Sequence, residues 1–327
     1  MILVDMPRML LGFMIYLFSQ VFLWLLIAGL LALLIPRSRR YLAARRWRFA
    51  VLMVLLAVGS VPYVEFSYRQ WQDWRAHHPR LEQQVVLGEL VLPAGTLVDL
   101  ANLQPYNDLS GNPVPYGLES IRRADFDRAP GTIKGLQVRS LQLWDGSATV
   151  ETLNAQAVDG WRCEPGMIEY HFPFEARFTL SAWRLYRCVL TPGIPVGGID
   201  WPGAVTLVDG PDGWEVRSDE QPVRLQGIEL RSMTLSLDRP DGQASDWRGY
   251  ANQPFDYGPM HYPADIRVSR QQDRMLFSLP PSAQARNVPG ATTIEGGQTV
   301  VQSLSGEVLA IRDNPRGIYF PDEFIVP

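Results

Sequence analysis

The sequence predicts a two-helix transmembrane hairpin followed by an all-β extracytoplasmic domain with internally duplicated β units. Two long apolar runs flank an arginine-rich segment near the start, and the chain after residue 84 breaks into short alternating runs separated by turn residues. A nine-residue segment, GLQVRSLQL at 135–143, also recurs as GIELRSMTL at 227–235. The predicted parts are a hairpin at 1–66, a juxtamembrane helix or linker at 67–84, and a β-rich domain at 85–327 with repeat units at about 85–180, 181–275 and, in part, 276–327.

The first apolar run, residues 10–35, contains no charged side chain. An apolar run longer than about 20 residues spans the ~30 Å hydrocarbon core of a bilayer with some tilt. A cleaved signal peptide, the alternative, has an apolar region of about 7–15 residues followed by a small-residue cleavage site. This run is longer and ends at Pro36-Arg37, which favours an uncleaved span. Gly29 here, with Gly59 and Ser60 in the second run, predicts close helix packing.

The second apolar run, residues 49–64, is shorter, and by length alone it also fits a buried core helix. Trp47 and Tyr63 stand where interfacial aromatic residues belong, and Arg48 and Arg69 can extend to the polar layers. These flanks favour a second span. The polar segment 65–84 continues with aromatic residues at helical spacing and predicts that the helix runs on for several turns before weakening near Pro79.

The segment between the two runs predicts the orientation of the chain. It is rich in arginine and contains no acid, and a short loop of this kind stays in the cytoplasm. Both termini and the large domain are then periplasmic, with the hairpin in a bacterial inner membrane. Binding of nucleic acid or anionic lipid is the alternative use of such a loop. The arginines are Arg37, Arg39, Arg40, Arg45, Arg46 and Arg48.

The charge of the large domain narrows the class of partner. After residue 84 the chain carries 20 basic and 30 acidic residues, a formal net charge of −10. A negative surface argues against binding nucleic acid or anionic membrane. The negative charge suits a protein partner with a basic face. The alternative is that it only keeps the domain soluble.

Two cysteines, Cys163 and Cys188, are the only ones in the chain. An even number of cysteines in an oxidising compartment predicts a disulfide. A metal site is the alternative, with His171 as the nearest further ligand.

Turn dipeptides such as Asp145-Gly146 and the absence of helical periodicity after residue 84 predict an all-β domain. In both copies of the nine-residue repeat the apolar positions change parity at an Arg-Ser pair, which predicts a β-bulge. Elements of the Leu-x-Pro-Gly type precede each copy, at residues 92–96 and 190–193. A single sandwich with independently similar hairpins is the alternative to duplication.

No catalytic, cofactor-binding or metal-binding residue is predicted. The sequence lacks a nucleophile elbow, a His-Glu-x-x-His motif and a phosphate-binding glycine loop. His261, in a loop rich in aromatic residues and proline, is the one isolated candidate for a base, and a structural role is its alternative. The inventory therefore predicts a binding protein rather than an enzyme.

The domain is rich in tryptophan, and several of these residues flank turns. Aromatic residues together with arginine anchor protein interfaces. Partner contacts are therefore predicted at Trp144, Trp161, Trp201, Trp214 and Trp247. The alternative is that most of them fill the ends of β layers.

The layout resembles that of inner-membrane-anchored periplasmic immunity proteins. The resemblance covers an uncleaved anchor, a β-rich exported domain and the lack of a catalytic set. It implies that the protein neutralises a delivered antibacterial toxin by binding it, without a cofactor. A structural subunit or assembly factor of a cell-envelope complex is the alternative, and an enzyme acting on envelope glycan or lipid is a third class.

Overall fold

Two long helices begin the chain in the computed structural model, which describes residues 6–35, 45–211, 213–218, 221–240, 242, 246–290 and 292–314. Helix α1 is Met6–Ala32 and helix α2 is Arg46–His77. Both are long and apolar enough to cross a membrane. Helix α2 continues unbroken through the polar segment, which confirms the predicted extension. The predicted loop arginines Arg37, Arg39 and Arg40 lie outside the described residues, whereas Arg45 directly precedes α2 and Arg46 and Arg48 lie in its first turn.

The two helices pack closely at the small residues that the sequence singles out. A Cβ atom built on Gly59 would lie 2.3 Å from Cδ2 of Phe22, and one built on Gly29 would lie 2.7 Å from Sδ of Met53. Ser60 is buried, and its hydroxyl donates a 2.8 Å hydrogen bond to the Ala57 carbonyl. The predicted close packing is confirmed.

The described chain forms two compact units. One contains the helices together with Asp99–Ser120, and the other contains Arg80–Val98 and the described residues from Ile121 onward. The strands are β1 (Val85–Leu87), β2 (Leu90–Leu92), β3 (Leu97–Leu100), β4 (Tyr106–Asn107), β5 (Pro113–Val114), β6 (Ile121–Asp125), β7 (Gly131–Ile133), β8 (Leu136–Trp144), β9 (Ser147–Thr152), β10 (Gln156–Val158), β11 (Trp161–Cys163), β12 (Gly166–His171), β13 (Arg184–Leu190), β14 (Val205–Gly210), β15 (Gly213–Ser218), β16 (Val223–Leu225), β17 (Ile228–Leu237), β18 (Asp246–Ala251), β19 (Phe255–Tyr257), β20 (Met260–Tyr262), β21 (Arg267–Gln271), β22 (Arg274–Ser278), β23 (Ala285–Asn287), β24 (Thr292–Ile294), β25 (Gln298–Ser303) and β26 (Val308–Asp313).

Antiparallel pairing links most of these strands into one sheet of 18 strands, so the prediction of an all-β domain is confirmed. A continuous path of pairings runs through β6, β8, β9, β12, β13, β14, β15, β17, β18, β21, β22, β25 and β26. Several short strands form hairpins beside this path.

The two copies of the nine-residue repeat have the same local geometry. Each follows a three-residue strand and a two-residue turn in which both residues have positive φ, namely Lys134-Gly135 (φ 49° and 80°) and Gln226-Gly227 (φ 52° and 85°). The long strand then shifts register, between Val138 and Ser140 in β8 and between Arg231 and Thr234 in β17. The predicted bulges are confirmed; a common origin of the two copies stays a prediction.

The first Pro-Gly element also has a positional counterpart at residues that the repeat does not point to; the predicted match with residues 190–193 stays a prediction. After the β1–β2 hairpin, Gly95 N–H donates to the Leu81 carbonyl at 2.7 Å; after the β19–β20 hairpin, Asp265 N–H donates to the Ala251 carbonyl at 2.8 Å. Residues 92–95 (LPAG) therefore correspond in position to residues 262–265 (YPAD). The predicted counterpart, residues 190–193, instead follows the long strand β13.

A disulfide joins Cys163 in β11 to Cys188 in β13, with the Cα atoms 6.0 Å apart, as predicted. Both side chains are buried. The bond fastens the β10–β11 hairpin to the main sheet, where Cys163 also pairs with Leu190.

We expect replacement of both cysteines by serine to lower the free energy of unfolding by about 2–5 kcal/mol, because the bond limits the freedom of the unfolded chain. Urea unfolding of the full chain in detergent, followed by near-ultraviolet circular dichroism, measures this loss. Adding a reductant should lower the free energy of unfolding of the parent protein by the same amount and should not change that of the double variant. Equal unfolding midpoints for the oxidised parent and the variant would contradict a structural role for the bond.

Candidate protein-interaction site

One row of outward-facing side chains crosses four adjacent strands. Trp144 on β8 pairs with Ser147 on β9, Ser147 pairs with His171 on β12, and His171 pairs with Arg184 on β13. Directly opposed residues of antiparallel strands lie on the same face of the sheet. Trp144 is 59% exposed, and His171 and Arg184 are also exposed. We call these four residues the Trp144 row.

An open cleft of about 750 Å³ borders the Trp144 row. The ring of His171, which lies at its edge, stacks on Tyr186 with the ring centroids 3.8 Å apart. The stack holds the imidazole in place and presents a flat aromatic surface. The cleft is lined by Asp145, Gly146, Ser147, His171, Phe172, Pro173, Ser181, Ala182, Arg184 and Asp209.

Charged side chains line this cleft. Within the part of the chain that the structure describes, Asp145, Asp209 and Arg184 form no salt bridge. A second cleft, of about 510 Å³, differs in this respect. There Arg123 pairs with Asp125 at 2.9 Å, and Arg139 pairs with Glu151 at 3.4 Å. The first cleft is therefore the better candidate for binding.

A buried aromatic cluster forms the floor beneath the row. Trp183 is only 1% exposed; it stacks on Phe172 at 5.0 Å and contacts Tyr170 at 5.9 Å. The amine of Lys134, the only lysine in the chain, donates a 2.6 Å hydrogen bond to the Trp183 carbonyl. Burial raises the pKa of the Tyr170 hydroxyl, because the apolar surroundings disfavour its charged form. Dense packing of large rings makes this floor rigid.

The β1–β2 hairpin supports one wall of the cleft. The Glu89 carboxylate accepts hydrogen bonds from the backbone N–H of Ser181 at 2.7 Å and from its hydroxyl at 2.8 Å. These bonds favour the ionised form and lower the pKa of Glu89. The backbone N–H of Glu89 also donates to the Phe178 carbonyl at 2.8 Å.

Of the five predicted tryptophan contacts, Trp144 alone is well exposed. Trp161, Trp201 and Trp247 are 3%, 6% and 3% exposed, so their rings are not presented to a partner. Trp214 is half-buried and packs edge-to-face on Trp161 with centroids 5.6 Å apart. Burial of these three rings agrees with the alternative interpretation; that they fill the ends of the β layers stays a prediction.

Sequence reasoning missed most of the site. The sequence marks His171 only as a possible metal ligand, and no motif points to Arg184 or Asp209. Their proximity arises from strand register, which no local pattern encodes. His261, the isolated base candidate, lies elsewhere, and it is in strand β20 rather than in the predicted loop. It contacts Asp256, with 2.7 Å between Nδ1 and Oδ1, and both residues are exposed. Among the described residues, no group of three or more His, Cys, Asp or Glu side chains is placed to hold a metal ion.

Comparison with protein-family models, with curated proteins and with solved structures finds no match to this chain.

We expect Glu89→Gln to lower the melting temperature at pH 7, because the amide replaces a charge-assisted contact to Ser181 with a weaker one. The native pKa of Glu89 is depressed, so its contribution is full above the unfolded-state value of about 4.3 and is lost as the pH falls through the native value. The difference in melting temperature between parent and variant should therefore become smaller in acid. Thermal unfolding at several pH values measures this difference.

Glu175→Gln is the matched control, since the Glu175 side chain is exposed and no hydrogen bond or ion pair involves it in the described chain. A melting temperature difference for Glu89→Gln that is independent of pH would contradict the electrostatic account.

Proposed function

We propose that this chain is an inner-membrane-anchored periplasmic protein that binds a protein partner through the Trp144 row, without turnover. The observation that supports this best is the exposed Trp144 ring in register with His171 and Arg184, beside a cleft whose charged side chains form no salt bridge among the described residues. Tryptophan, tyrosine and arginine on a rigid support are the residues that dominate interface energies.

The dimensions of α2 support the membrane placement. Trp47 and Trp74 are both exposed and lie 27 positions apart in one continuous helix, which corresponds to about 40 Å at a rise of ~1.5 Å per residue. A bilayer with its headgroup layers is about 40–45 Å thick. Tryptophan favours both interfaces. The two rings would then mark the two surfaces of the membrane, with the arginine-rich segment on the cytoplasmic side.

We infer further that the partner is an antibacterial toxin delivered to the periplasm and that the protein confers immunity to it. A net charge of −10 after residue 84 favours encounter with a basic surface. Anchoring holds the binding domain where such a toxin arrives, which raises its effective concentration there.

We expect a reporter enzyme fused after Gln84 to be active only in the periplasm and one fused after Arg40 to be active only in the cytoplasm. Paired alkaline phosphatase and β-galactosidase fusions measure this. Changing the six loop arginines to glutamate should scramble the orientation, because they are its main determinant. A cytoplasmic reporter that is active after Gln84 would contradict the proposed localisation.

We expect cells that lack this protein to be killed by the unmodified parent strain when the two grow in contact, and to grow normally alone. Complementation with the parent gene should restore survival, whereas Trp144→Ala should lower it, because truncating an anchor residue costs more than about 1.4 kcal/mol and so weakens partner binding about tenfold or more. Viable counts after co-culture measure the effect.

Tyr250→Ala is the matched control, since Tyr250 is a comparably exposed aromatic residue outside the Trp144 row. Equal membrane abundance of both variants shows that they fold. Poor growth of the deletion strain in pure culture would instead support the assembly-factor alternative. Hydrolysis of an envelope glycan or lipid by the purified protein would overturn the proposal in favour of an enzyme.

A further inference from the structure

Residues 101–120 form a loop between β3 and β6, and its tip carries a fully exposed leucine, Leu109. We call it the Leu109 loop. Tyr106 and Tyr116, on either side of the tip, are 53% and 48% exposed. The loop contains the short strands β4 and β5, which pair with each other. An apolar tip flanked by two tyrosine rings has the kind of residues that are enriched where proteins meet the membrane interface.

Hydrogen bonds fix the shape of the Leu109 loop. The Asp108 carboxylate accepts from the backbone N–H groups of Ser110 and Asn112, both at 2.8 Å, and these bonds lower the pKa of Asp108. At the base, the Ser120 hydroxyl accepts from Asn102 N–H at 3.0 Å and donates to the Gly117 carbonyl at 2.8 Å. These hydrogen bonds therefore hold the turn in the conformation that exposes the Leu109 side chain.

The loop starts close to the end of α2 and belongs to the same compact unit as the helices. Nε2 of His78, the residue after α2, lies 3.7 Å from Oδ1 of Asp99. The helix runs 14 residues from Val64 to His78, about 21 Å at ~1.5 Å per residue. Ten extended residues, from Asp99 to Leu109, reach up to about 33 Å. This upper limit exceeds about 21 Å, so the length of the loop allows its tip to reach the level of Val64, where the apolar part of α2 ends.

We propose that the Leu109 loop is a third membrane contact, with the Leu109 side chain in the apolar layer of the outer leaflet and Tyr106 and Tyr116 at the headgroups. Tyrosine favours that layer because its ring is apolar and its hydroxyl is polar. The only charged groups of the loop are Asp108 and Glu119, so the contact is apolar and independent of anionic lipid. A third contact would restrict rotation of the chain about its two helices. The inference rests on the proposed membrane placement of α1 and α2.

The test uses Leu109→Cys in the full chain, labelled with an environment-sensitive fluorophore and reconstituted into phosphatidylcholine vesicles. The native cysteines are bonded and buried, so only the new thiol reacts. Val288→Cys is the matched control, because Val288 is 68% exposed and lies in the other unit. Leu25→Cys, at an outward-facing position of α1, reports the membrane span.

We expect the label at 109 to emit at shorter wavelength than the label at 288 and to be quenched at least twofold by brominated lipid, with the same result when phosphatidylglycerol is added. If the labels at 109 and 288 behave alike while the label at 25 is quenched, the loop inference is overturned and the membrane placement survives. If the label at 25 is not quenched, both are overturned. A shift at 109 that needs added periplasmic extract would assign the tip to a protein and overturn the lipid contact.

Discussion

Strand register is the constraint on which the β domain depends. A slip of one residue would move every side chain of a strand to the opposite face. Two-residue turns such as Lys134-Gly135, where both residues have positive φ, fix the pairing of β7 with β8 because few other backbones close so short a connection. The bulge at Arg139 then re-aims β8, so that Leu141 and Leu143 are buried while Trp144 is exposed. The Trp144 row is a consequence of that alignment.

Short hairpins fasten this sheet at several places, each by a different interaction. Glu89 binds Ser181 through two hydrogen bonds, and Cys163 is bonded to Cys188. A Cβ atom built on Gly258 would lie 2.1 Å from the Gly306 carbonyl oxygen, so the β19–β20 turn touches the β25–β26 connection directly. The Glu89 and Gly258 contacts each hold a connection between long strands in one place, and for Glu89 that connection is a wall of the candidate cleft. Rigid support of this kind limits the entropy lost when a partner binds.

Local patterns in the sequence predict the helices, the all-β class, the two bulges and the disulfide, because composition and short-range periodicity encode them. The site depends on β12 pairing with β9 and β13, and no local pattern specifies those partners. For the same reason the sequence does not distinguish exposed Trp144 from buried Trp161. Residues 92–95 and 262–265 illustrate this limit. Each segment donates a backbone N–H to the residue that lies 14 positions earlier, Gly95 to Leu81 and Asp265 to Ala251, although YPAD resembles the Leu-x-Pro-Gly pattern less than residues 190–193 do.

Photo-crosslinking in intact cells tests the central claim, that one face of the sheet binds a protein partner. A benzophenone amino acid is placed in turn at Trp144, Ser147, His171 and Arg184, and at the exposed positions Val288 and Leu309 outside the row. The account predicts one adduct of the same mass at all four row positions, formed only in contact with toxin-delivering cells, and none at 288 or 309. Adducts at 288 and 309 with none at the row, or no dependence on the delivering cells, would contradict it.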